Sequence, residues 1–193
     1  LRQMTGDADF NEVFLEDVRV PRQNLVGQLH NGWGVALTTL MNERGTASFG
    51  TQARFRIVLD NLVALAKRSP LGEPPAAHDP LVRQQLAQHY IDVEILKYNC
   101  FRNFTRLLRG GTPGPEGSIL KLGWSELNQR MQETAMTLEG VYSQLTRTSP
   151  WAVESGRWQH HFLRSRANTI EAGTSEIQRN IIAERVLKLP KGR

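Results

Sequence analysis

The strongest constraint on this chain is an apolar stripe between Pro80 and Leu108. Val82, Leu86, Val93, Leu96, Cys100, Phe104 and Leu107 recur at spacings of 4, 7, 3, 4, 4 and 3 residues. That is the period of one helix face and not of a strand. Asp79 can cap this helix, and Pro80 suits its first turn, where a missing N–H costs nothing. Gly110-Gly111 ends it, and Thr112-Pro113-Gly114-Pro115 makes a connector. A second stripe comes next: Leu120, Trp124, Leu127, Met131, Ala135 and Leu138, with Gly140 as its stop. Before both lies a long helical run from Trp33 to Lys67, which contains Gly45 and Gly50. Three long helices with short connectors predict an all-α chain, an antiparallel four-helix bundle with extra C-terminal helices. The extra elements are a short helix within 153–168 and a last helix starting at Thr174 or Ser175 and closed by Pro190. Ser175 with Gln178 three residues on reads as a capping box for that last helix.

Residues 1–30 have another character. Asn11 to Val20 alternate partly between apolar and polar side chains and then meet Pro21, which suits a short β-strand segment. One strand is not stable by itself, so it needs a sheet that the rest of the chain does not supply. The boundaries are therefore 1–30 for a strand and linker and 31–193 for the helical bundle. The chain begins Leu1-Arg2-Gln3, without an initiator Met, and reads as a piece of something longer.

Composition removes several function classes. Among 193 residues, 39% are hydrophobic and 22% charged, too apolar for a disordered polyelectrolyte. No stretch approaches the roughly 20 apolar residues of a membrane-spanning helix. The single cysteine, Cys100, cannot form an internal disulfide; it lies on an apolar stripe and is expected to be buried and inert, in a reducing, cytoplasmic setting. Residues 97–193 carry 15 basic and 8 acidic side chains, net +7. The arginines are scattered, so a solvated helical face is favoured over nucleic acid. His160-His161 are adjacent and gather no further ligands, which leaves no metal set. The sequence has no phosphate-binding glycine loop and no nucleophile elbow.

Three stretches say more. Phe14-Leu15-Glu16-Asp17-Val18-Arg19-Val20-Pro21, then Asn31-Gly32-Trp33-Gly34 with Thr39-Leu40-Met41-Asn42-Glu43-Arg44, then Gly173-Thr174-Ser175-Glu176-Ile177-Gln178-Arg179-Asn180-Ile181-Ile182-Ala183-Glu184-Arg185 stand in this order. Together they resemble an acyl-CoA dehydrogenase of actinobacterial type, over nearly the whole chain. The resemblance implies the end of the middle β-domain followed by the C-terminal helical domain. It also implies FAD as cofactor, an acyl-CoA substrate, an electron-transfer flavoprotein as acceptor, and a homo- or hetero-tetramer. The implied reaction introduces an α,β double bond. A carboxylate takes the α-proton, in a water-poor pocket that raises its pKa.

Residue by residue, the resemblance transfers unevenly. In many members the base is the Glu of a Tyr-Glu-Gly-Thr run; here that place is Ala172, and Glu171 sits one position early. Other members carry the base on the long helix, just before an Arg, and that place is Glu43, followed by Arg44. Glu43 is therefore the expected base, with Arg44 and Gly173 expected at the substrate. Arg68 and Ser69, at the end of the long helix, are expected at a neighbouring subunit's flavin diphosphate, and Thr174, Ser175 and Glu176 at the flavin. Thr174 and Ser175 also suit a plain helix cap, a role compatible with flavin contact. The family's Gln-x-x-Gly-Gly run is Met136-Thr137-Leu138-Glu139-Gly140 here, and its His-Gln pair is His78-Asp79. A Glu near a diphosphate is unfavourable. Two readings arise from this mixture: a catalytic subunit with Glu43 as base, or a non-catalytic partner in a heterotetramer. With Ala172 in place of the carboxylate, a bulky acyl group such as a sterol side chain is expected over a straight chain. Trp124, Trp151 and Trp158 are expected in the core or at a subunit interface.

Overall fold

The computed structural model describes residues 1–68, 73–112 and 114–191, with the side chains of 41–49 left aside. Its long elements are α1 (Gly32–Arg68), α2 (Pro80–Leu108) and α3 (Gly117–Glu139). Each packs against the other two. Two shorter helices, α4 (Arg157–Ser165) and α5 (Ser175–Ile181), lie against α3. The bundle is thus three long antiparallel helices with α4 as a short fourth member, and α5 is the extra C-terminal helix.

The stripes read from the sequence are the faces that meet, apart from Phe104 near the end of α2, which is exposed. Leu59, Leu62, Leu65 and Ala66 of α1 pack with Val93, Leu96 and Cys100 of α2 and with Leu127, Met131 and Ala135 of α3. Leu62, Met131 and Ala135 are wholly buried. Trp158 of α4 closes the same core, whereas Trp151 is exposed, outside the core. It sits in the irregular stretch before α4, which packs less apolar surface than a helix face does. Cys100 is buried, and burial pushes its thiol pKa up.

The ends obey their local chemistry. The Asp79 side chain accepts from the Leu81 N–H at 2.7 Å, and Pro80 is the first residue of α2. Gly110 and Gly140 leave α2 and α3 at positive φ (80° and 54°), where a side chain would be strained. Residues 1–30 carry a short 3-10 turn at Arg22–Asn24, and no strand occurs among the described residues. Val13, Phe14, Leu15, Val18 and Val20 are exposed. A strand without neighbours has no ladder to complete, so these apolar side chains have nothing to pack on. Asp7 ties this segment to the bundle. Its carboxylate accepts from Arg147 Nη2 at 2.9 Å and lies 2.5 Å from His160 Nε2 of α4.

A polar seam fixes residues 165–171 against α3. Lys121 Nζ donates to the Asn168 carbonyl at 2.8 Å, and Asn128 Nδ2 donates to Asn168 Oδ1 at 2.7 Å. Gln129 Nε2 reaches the Ser165 carbonyl at 3.1 Å and Thr169 Oγ1 at 3.0 Å. Buried bonds of this kind are costly to leave unmade, so the segment after α4 has one favoured position.

Candidate active site

The turn between Glu171 and Gln178 is built on that seam. Asn168 Nδ2 donates to Glu171 Oε1 at 2.6 Å, and Arg164 Nη2 donates to Glu171 Oε2 at 3.0 Å. Both carboxylate oxygens of Glu171 are thereby engaged in holding the turn. Ala172 and Gly173 then turn the chain at φ 54° and 95°, conformations that L side chains adopt at a cost. A Cβ on Gly173 would come within 2.5 Å of Gln178 Nε2. Gln178, wholly buried, donates through that nitrogen to the Ala172 carbonyl at 3.0 Å and the Gly173 carbonyl at 3.3 Å.

The last helix starts one residue earlier than a Ser175–Gln178 capping box requires. Thr174 is the cap, its Oγ1 accepting from the Ile177 N–H at 3.3 Å. Gln178 turns inward to the glycine turn instead of back to the cap. Ser175 therefore has no capping role. Its hydroxyl is buried and has no hydrogen-bond partner among the described residues. Glu176 stands in the first turn of α5, and bonding to its own backbone N–H and to Thr174 lowers its carboxyl pKa.

Beside the turn lies a groove of about 520 Å³, walled by Thr174, Ser175 and Glu176 on one side and by α3 on the other. Ion pairs rim it: Arg179 with Glu126 at 2.5 Å, and Arg166 with Glu133 at 2.9 Å. The structure thus brings Thr174, Ser175 and Glu176 together around one opening, while Gly173 lies in the turn just before it and does not line the groove.

Arg68 lies beyond the other end of α4. Its Nη2 donates to Glu154 Oε1 at 2.7 Å and its Nε to the Ala64 carbonyl at 3.3 Å. Arg157 Nη2 takes the second oxygen of Glu154 at 2.6 Å. Next to this fork is Glu139, 1% exposed, with Oε1 lacking a partner among the described residues. Burial, reinforced by Glu154 and opposed by Arg157, raises its carboxyl pKa from 4.5 to about 7. Glu154, Ser155 and Gly156 are all left-handed, at φ 46°, 57° and 71°. A Cβ on Gly156 would meet the Arg147 backbone nitrogen at 2.8 Å. The full burial of Glu139 was not legible, because a charged residue at a helix end usually faces water. Only its place in the Gln-x-x-Gly-Gly register marked it. The side chains of the expected base Glu43 and its neighbour Arg44, and residue Ser69, lie outside what the structure describes.

The two regions answer differently to a flavin. The 173–176 turn fits one, with an unpartnered buried hydroxyl on Ser175 and an adjacent groove. At the Arg68 corner the guanidinium shares Glu154 with Arg157, and a second carboxyl, Glu139, is buried beside it, so a diphosphate there would meet carboxylates as well as guanidiniums.

Fold and turn together define a helical-bundle domain of three long helices and two short ones. A family model described as "Acyl-CoA dehydrogenase, C-terminal domain" matches residues 30–187. The chain belongs to the acyl-CoA dehydrogenase family. It is 38% identical to acyl-CoA dehydrogenase IpdE1 of Mycolicibacterium smegmatis, over 99% of this chain and 45% of that protein. It is 31% identical to acyl-CoA dehydrogenase FadE34 of Mycobacterium tuberculosis, over 99% of this chain and 24% of that protein. Its fold matches a chain of the Tcur3481-Tcur3483 steroid ACAD with a TM-score of 0.80 at 22% identity, over 100% of this chain and 48% of that one. The chain thus spans about half the length, or less, of the curated relatives it matches. Among the described residues, no helix is long and apolar enough to cross a membrane.

Proposed function

We propose that this chain is part of a flavin-dependent acyl-CoA dehydrogenase that introduces an α,β double bond into an acyl-CoA thioester. The observation that carries the reading is the family match over 30–187 together with the built turn at Gly173–Glu176. FAD, when bound, supplies the acceptor for the β-hydride. Thr174, Ser175 and Glu176 would hold it, and Gly173 is proposed beside the substrate, on the family resemblance alone. Glu43 is the proposed base for the α-proton, with Arg44 beside the substrate. Glu171 is a poor candidate, because Asn168 and Arg164 already occupy its carboxylate. Electrons pass on to an electron-transfer flavoprotein, and the protein works as a tetramer in the cytoplasm. A bulky acyl group, such as a sterol side chain, is the proposed substrate. The fold match to the Tcur3481-Tcur3483 steroid ACAD supports this.

A second reading rests on the Arg68 corner. A guanidinium spent on Glu154 and a buried Glu139 suit a chain that lends no diphosphate contact to its neighbour, as a partner subunit in a heterotetramer would. Two-component complexes among the structural relatives, such as ChsE4-ChsE5 from Mycobacterium tuberculosis, support that arrangement.

The test is a pair of variants in the intact protein with any co-purifying partner. Glu43→Gln keeps the shape of the side chain and removes the proton acceptor. It should lower turnover by roughly three orders of magnitude or more with flavin content unchanged. Glu171→Gln should lower turnover far less. Near-normal turnover in Glu43→Gln would place the base in another chain and favour the partner-subunit reading.

A further inference from the structure

The end of α2 carries a groove of about 580 Å³ lined by Arg102, Thr105, Arg106, Arg109 and Gly111. Positions 102, 106 and 109 have the i, i+4, i+7 spacing of one helix face, spread over about 10 Å of axis.

The middle arginine is held in place. Arg106 Nη1 pairs with Glu116 Oε2 at 2.5 Å. The glycine connector wraps it closely: a Cβ on Gly111 would meet Arg106 Cγ at 2.8 Å, and one on Gly114 would meet Arg106 Nη1 at 2.9 Å. The Arg102 and Arg109 guanidiniums have no hydrogen bond or ion pair among the described residues. Three guanidiniums therefore face one carboxylate. The C-terminal pole of α2 adds only about half a negative charge, and backbone N–H groups of 109, 110 and 111 already cap carbonyls 105, 107 and 106. The balance stays positive, within a half-chain of net charge +7. The Thr105 hydroxyl donates to the Phe101 carbonyl at 2.9 Å, so the arginines are left as the donors.

We propose that this groove binds the diphosphate of a nucleotide. A lone phosphate cannot reach guanidiniums spread over two helical turns, whereas a diphosphate spans more of them, and planar guanidinium forks match phosphate oxygens. The volume falls within the range of small-molecule sites. A free nucleoside diphosphate and the thioester carrier of the proposed reaction share this chemistry. The site does not depend on that reaction.

The test is calorimetric titration of the intact protein at low salt with ADP, coenzyme A and inorganic phosphate. ADP or coenzyme A should saturate one site at least about tenfold more tightly than phosphate, and the double variant Arg102→Gln/Arg109→Gln should weaken binding by at least about tenfold. Circular dichroism checks that the variant stays folded, and Arg106 is left intact because it holds the connector. Tighter binding of coenzyme A than of ADP would identify the thioester carrier as the source, and the reverse a free nucleotide; either supports the site. Absence of binding, equal binding of phosphate, or binding untouched by the double variant would overturn it.

Discussion

Replacing Glu139 with Gln should change the pH dependence of stability in a defined direction. Glu139 is 1% exposed, and its carboxyl pKa in the folded chain is raised from 4.5 to about 7. Between those values the folded state holds a proton that the unfolded state has released, so stability falls as pH rises. The contribution is fully present below 4.5 and is gone above about 7. Each unit is worth about 1.4 kcal/mol. Going from about pH 5.5 to pH 8 should therefore cost about 2 kcal/mol through this residue alone. Gln keeps the shape without the titration, and subtracting its urea-unfolding free energies from those of the wild type at both pH values cancels the other groups. The difference should shift by about 2 kcal/mol in favour of Gln at the higher pH. Parallel pH curves for the two proteins would refute the buried, unpartnered carboxyl as the cause.

Local geometry sets two further outcomes. Gly173→Ala puts a Cβ within 2.5 Å of a wholly buried Gln178 at a φ of 95°, so it should cost about 2 kcal/mol in urea unfolding; a cost near zero would show that Gln178 can move aside. Asp7→Asn removes the charge that meets Arg147 and His160, so limited proteolysis should cut residues 8–31 faster than in wild type, and an unchanged cleavage rate would deny Asp7 its tethering role.

Much of the fold could be read from residue spacing, because the core is made of stripes with a helical period. The stripe through Val93, Leu96 and Cys100 and the one through Leu127, Met131 and Ala135 are buried together. The ends at Asp79, Gly110 and Gly140 were legible for the same reason: each carries out a local backbone role. The features that were not legible depend on contacts far apart in the sequence. The Asp7–His160 pair joins residues 153 apart, and nothing in either neighbourhood signals the other. The left-handed run Glu154-Ser155-Gly156 contains one glycine, so composition marks only its last residue. In the candidate site, the turn at Gly173–Glu176 stood out by family resemblance, while the cap stayed open between Thr174 and Ser175 and the Ser175–Gln178 capping box does not form. Thr174 and Ser175 have the same hydroxyl chemistry, and only the inward rotation of Gln178 decides between them.

The most direct test of the proposed reaction is anaerobic mixing of the intact, flavin-loaded protein and any co-purifying partner with a bulky acyl-CoA, monitoring flavin absorbance and enoyl-CoA together. Bleaching of the flavin is predicted, with one enoyl thioester formed per flavin reduced, and loss of both signals in Glu43→Gln at unchanged flavin content. Flavin that stays oxidised with every acyl-CoA tried, or reduction that proceeds equally well in Glu43→Gln, would contradict it.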